Sequence, residues 1–110
     1  MVSERIRQRY LRDPLPIRLG GLAADLARIA SCADEPRDQE ALISLLEEGK
    51  WFAEWAAADA SPDVQAALSE VQLLLAIWHR RGLAGQPELS MKGQARYWAD
   101  QLLELSELAR

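Results

Sequence analysis

Few residues in this chain can do chemistry. His79 is the only histidine and Cys32 the only cysteine. A di-iron helical bundle needs paired Glu-x-x-His motifs, and position 76, three before His79, is alanine. A zinc site needs further His or Cys ligands, which the chain lacks. His79 therefore reads as a helix-edge residue near a helix C-terminus. Cys32 follows Ser31 near the end of a helical pattern. There the negative end of the helix dipole raises a thiol's pKa and blunts it as a nucleophile, so Cys32 reads as a packing residue.

Phosphate chemistry has no better footing. Gly20-Gly21 has no third glycine in register and interrupts a helical pattern instead of joining strand to helix. Gly49-Lys50 lacks the earlier glycine and the Ser/Thr of a P-loop, and there is no Gly-x-Ser-x-Gly elbow. The carboxylates Glu47/Glu48 and Asp38/Glu40 are assigned to solvated helix surface. These residues predict no catalytic site, no metal and no cofactor, and they point away from an enzyme.

Charge leaves one candidate. Residues 1–18 carry Arg5, Arg7, Arg9, Arg12 and Arg18 against Glu4 and Asp13, a net +3 within a chain of net charge −4. The basic arm, residues 1–13, could hold an anionic partner or dock on its own acidic body. The acidic body argues against nucleic acid, and the connection of about nine residues before the last helix is too long for an ordinary helix-turn-helix. Self-docking of Arg5, Arg7, Arg9 and Arg12 is the favoured reading.

The elements that would carry these residues are helices. Leucine and alanine number eighteen each among 110 residues, valine three, and threonine and asparagine are absent. A sheet protein needs more β-branched and turn residues than that. Asp13-Pro14-Leu15-Pro16, Asp34-Glu35-Pro36 and Ser61-Pro62-Asp63 each read as a helix start, and Arg80-Arg81-Gly82 as a helix stop. The spacing predicts helices over about 14–33, 35–58, 62–81 and 91–109. Their seams are Leu15/Leu19/Leu22/Leu26/Ile29/Ala33, Leu42/Leu45/Leu46/Gly49/Phe52/Ala53/Ala56, Val64/Leu68/Val71/Leu75/Trp78 and Met91/Ala95/Trp98/Leu102/Leu105/Ala109. The expected fold is all-α: one domain, a four-helix up-down bundle with a short N-terminal helical segment in which Ile6 and Tyr10 lie four apart. The N-terminus lacks the apolar stretch of a signal peptide, and the longest apolar run, Leu73 to Trp78, is far short of a membrane span. A cytoplasmic, soluble protein with no membrane partner is expected.

Two segments carry a resemblance. Arg9-Tyr10-Leu11-Arg12-Asp13-Pro14-Leu15-Pro16-Ile17-Arg18-Leu19-Gly20-Gly21-Leu22-Ala23 resembles the opening of a family of small, uncharacterised cyanobacterial helical proteins. Glu48-Gly49-Lys50-Trp51-Phe52-Ala53-Glu54-Trp55 is similar to their aromatic second helix. The resemblance implies a bacterial, cytosolic helical bundle and supplies no site residues.

The unusual feature is surplus apolar surface. On a helical wheel Trp51 and Trp55 fall roughly 200° and 240° from the core direction, and the apolar arc of that helix is about twice what a surface helix needs. Leu73 and Ile77 lie opposite their own helix's seam and could join the same patch. The first long helix has only Arg18, Asp25 and Arg28 as charged groups, read as clustered on one side. Its other side runs Ile17, Gly20, Ala24, Ala27 and Ser31. Adjacent interior glycines are easiest to explain if another helix crosses close by. The favoured reading is a homo-oligomer, expected to be a dimer, whose interface draws on Trp51, Trp55, Leu73, Ile77, Ile17, Gly20, Ala24 and Ala27. Three alternatives stand: burial within the chain, in which segment 3–12 covers one of the patches through Ile6, Tyr10 and Leu11; a partner protein on these faces; or an apolar, pigment-like ligand between helices beside Trp78 and Trp98.

Overall fold

Prolines and cap residues set the helix starts. Ser3 opens α1 (Glu4–Arg12), its hydroxyl accepting the Ile6 N–H at 3.3 Å. Asp13 does not cap the next helix. The following Pro14 disfavours helical dihedrals at residue 13, which is extended and closes α1. Pro14 itself is the N-cap of α2 (Leu15–Cys32), without a side-chain cap bond. With Pro16 in the first turn, α2 has one fewer backbone donor to satisfy there. Pro36 likewise begins only a short 3-10 turn, Pro36–Asp38, and α3 (Gln39–Ala57) starts after it.

Pro62 begins α4 (Pro62–Leu83) as its pattern predicts, with Ser61 as the extended N-cap. The end of α4 lies further on than the Arg80-Arg81-Gly82 signal. Gly82 stays helical against Ile43 of α3, and the left-handed residue is Gly85, at φ 70°. The Ala84 and Gln86 N–H groups then donate to the Arg80 and Arg81 carbonyls, closing the helix. The fifth helix, α5, is Met91–Leu108.

The computed structural model describes residues 3–86 and 89–108, so Ala109 lies outside the described residues. These are all-helical, with no strand among them. The Cα radius of gyration is 13.2 Å, near the roughly 13 Å of a compact chain this long. The most extensive packing is of α2 on α5 and of α3 on α4, with α2 on α3 joining the two pairs and α1 resting on α3.

The seams hold the core. Leu19, Leu22, Ile29, Leu46, Leu68, Leu75 and Leu102 are wholly buried, each contributing about 1.5–3 kcal/mol of transfer free energy. At their centre a Cβ placed on Gly49 would stand 3.0 Å from Leu75 Cδ1 and 3.9 Å from Leu22 Cδ1. The missing side chain lets α3 lie close to α4. At one end Lys92 Nζ meets Asp34 Oδ2 at 2.9 Å, tying the start of α5 to the end of α2.

Candidate functional site

The charged residues of α2 do not form a solvated side. Arg18 and Asp25 are 5 % and 4 % exposed, and only Arg28 faces solvent. Arg18 is a staple between segments distant in sequence. Its Nε donates to the Asp13 carbonyl at 3.0 Å, and its Nη1 lies 3.0 Å from Asp59 Oδ2 in the α3–α4 turn. Its own carbonyl accepts the Tyr10 hydroxyl at 3.0 Å. One arginine thus joins α1, α2 and the turn after α3. Burial pushes the Tyr10 hydroxyl well above its usual pKa, so it remains a donor.

Asp25 sits deeper along the same stripe. Its Oδ1 accepts Arg28 Nη1 at 3.1 Å, while its buried Oδ2 has no hydrogen-bond donor. The Glu48 carboxyl of α3 faces it. Burial and then the neighbouring Glu48 push Asp25 up to about 7, against the smaller pull of Arg28. Glu48 also borders a cavity of about 220 Å³ between α1 and α3, lined with Ile6, Arg9, Tyr10, Asp13 and Phe52. Glu48, which its position in the helical pattern assigns to solvated surface, is half-buried.

The tryptophan face is partly covered from within the chain. Tyr10 stacks on Phe52 with centroids 4.1 Å apart and planes 5° from parallel, and stands 6.0 Å from Trp55. The Arg7 guanidinium lies 6.0 Å from the Trp55 ring, and Arg7 also pairs with Glu4 at 3.1 Å. Trp51 stacks on Trp55 at 6.0 Å, and both are half-buried. Within the basic arm, α1 is therefore a helix docked on α3. Arg5, Arg7, Arg9 and Arg12 all remain exposed, and Arg9 lines the cavity that Glu48 also lines.

Other candidate residues stay open. Leu73 and Ile77 of α4 are 57 % and 39 % exposed. On α2, Ile17 is 53 % exposed, Ala24 is exposed, and Gly20 and Ala27 are half-exposed. A Cβ on Gly20 or Gly21 would meet nothing within 4 Å, so no contact among the described residues requires glycine at either position. This stripe runs into an open groove of about 440 Å³ lined by Ala27, Arg28, Ser31 and Cys32 of α2, Ala41 and Leu45 of α3, and Arg96 of α5. Burial and then Asp38 raise the Cys32 thiol's pKa, which disfavours the nucleophilic thiolate.

His79 bridges two helices, with its Nδ1 3.2 Å from Lys50 Nζ. Burial and the Lys50 charge lower its pKa, outweighing Glu47. A neutral ring accepting the lysine proton is a packing arrangement at the α3–α4 contact. No group of three metal-ligating side chains occurs among the described residues. Trp78 is 2 % exposed in the core, and Trp98 is half-buried with its ring edge-on to Tyr97. Neither lines the cavity or the groove above. No described helix is long and apolar enough to cross a membrane.

No protein-family model, curated protein or solved structure matches this chain.

Proposed function

We propose that this protein is a non-enzymatic helical interaction module that self-associates through the outer face of α2. In this reading α2–α5 form an up-down four-helix bundle, supported by the tie between the start of α5 and the end of α2, and α1 straps its aromatic side. The observation that carries the reading is the pair Gly20-Gly21. Interior helical glycines cost about 1 kcal/mol each relative to alanine, and among the described residues nothing stands within 4 Å of a Cβ placed on either. They share their face with the exposed Ile17 and Ala24. A second copy crossing α2 over these residues would account for both the glycines and the exposed isoleucine. Leu73 and Ile77 are the next apolar surface available to a partner, and the Trp51/Trp55 face is third because α1 already overlies Trp55. The groove between Arg28 and Arg96 favours, as a second reading, an apolar ligand bearing a negative group.

The test is the mass in solution of the wild-type chain and of Ile17→Lys. The wild type is expected to be dimeric at tens of micromolar, and I17K monomeric with unchanged helicity. Native mass spectrometry of freshly isolated protein tests the ligand reading, for which a purely apo mass counts against a tight ligand.

A further inference from the structure

Asp25 Oδ2 is a buried acceptor with no donor, and the group facing it, the Glu48 carboxyl, is another acceptor. Two carboxylates cannot bond to each other without a proton between them. We propose that Asp25 and Glu48 share one proton across the α2–α3 seam, and that its loss as pH rises drives the Glu48 carboxylate into the adjoining cavity towards Arg9, making the pair a pH-sensitive latch beneath α1.

The surrounding groups set the direction. Arg28, on α2 itself, occupies Asp25 Oδ1, so it favours ionisation of Asp25 without reaching the orphaned oxygen. Arg18, also on α2, donates its Nε to the Asp13 carbonyl and holds its Nη1 3.0 Å from Asp59 Oδ2, a charge contact in which the buried Nη1 makes no hydrogen bond. From α1, the Tyr10 hydroxyl is spent on the Arg18 carbonyl, and Arg9 lines the same cavity as Glu48. Asp13, after α1, is the acid lining that cavity beside Glu48. From α5, Arg96 shares the outer groove with Arg28. Asp25 is fixed in the seam, whereas Glu48 is half-buried with open volume beside it. Once both groups ionise, Glu48 is the one that can move, and Arg9 is the cation bordering that volume.

Carbon-13 detection of the carboxyl carbons across a pH titration tests this in the intact protein. One member of the pair is expected to titrate near neutrality. With Glu48→Gln the amide can donate to Asp25 Oδ2, and the Asp25 midpoint should fall by about one pH unit or more. Both carboxyls titrating below about pH 5 in the wild type would overturn the shared proton, as would an Asp25 midpoint unmoved by E48Q. For the movement of Glu48, Arg9→Gln should lower the urea midpoint at pH 8.5 and leave it nearly unchanged at pH 5.5; equal losses at both pH values overturn it. The wild-type titration stands even if a variant fails to fold.

Discussion

Replacing Gly20 and Gly21 together by alanine separates what the fold needs from what an interface needs. Both lie inside α2, and an added methyl at either meets no atom of the chain within 4 Å. Each substitution should therefore stabilise the isolated subunit by about 0.8–1 kcal/mol, through the smaller entropy lost when alanine replaces glycine in a helix. For a chain of this length that is a rise in melting temperature of about 4 °C per substitution, or about 8 °C for the pair. The same two methyls would stand in the helix crossing of a dimer and weaken it. Urea unfolding, followed by circular dichroism at several protein concentrations, reads both effects. At low concentration, where the subunit is monomeric, G20A/G21A should unfold at higher urea than wild type. The concentration dependence of the wild-type midpoint should shrink or vanish. A double variant less stable than wild type at the lowest concentration would refute the reasoning, because some contact within the subunit would then require those glycines.

Other substitutions probe the packing. Gly49→Ala should destabilise by up to about 2 kcal/mol, because its methyl would press on Leu75 at 3.0 Å in the buried centre, an overpacking cost of about 1–3 kcal/mol set against about 1 kcal/mol of helix propensity gained; this opposite sign is read in the same urea assay. Tyr10→Ala removes the Phe52 stack and the bond to the Arg18 carbonyl and should cost about 3–4 kcal/mol, whereas Tyr10→Phe should cost about 1 kcal/mol. Hydrogen exchange should show the loss in α1 and α3 first. Asp25 ionises at higher pH in the folded chain than in the unfolded one, so unfolding releases a proton between about pH 4 and 7 and stability falls as pH rises through that window. The loss is at most on the order of 4 kcal/mol, and Asp25→Asn should flatten it in urea titrations run across that range.

The helical seams were legible because apolar residues at steps of three and four leave few alternatives. The burial of Arg18 and Asp25 is not evident when the charges of α2 are read only as clustered on one side, because charged residues are seldom buried without a partner. Their signal was present in the spacing: Arg18, Leu22, Asp25 and Ile29 form one stripe, with both charges in register with core leucine and isoleucine. What spacing cannot supply is the partner that makes burial tolerable, here Asp59 from a distant turn and a carboxyl on α3. The broad aromatic arc around Trp55 was also visible, and Tyr10, four from Ile6, was the hint that α1 could cover part of it. Helix ends were less legible. Gly82 looks like a stop, but its place against Ile43 is tertiary, and Gly85 is the residue with positive φ.

The central claim is self-association through α2, and light scattering after size exclusion at tens of micromolar tests it most directly. Wild type should elute with twice the 12.3 kDa mass of the chain, and Ile17→Lys with the single mass. A wild-type protein of one chain mass throughout that range would contradict it.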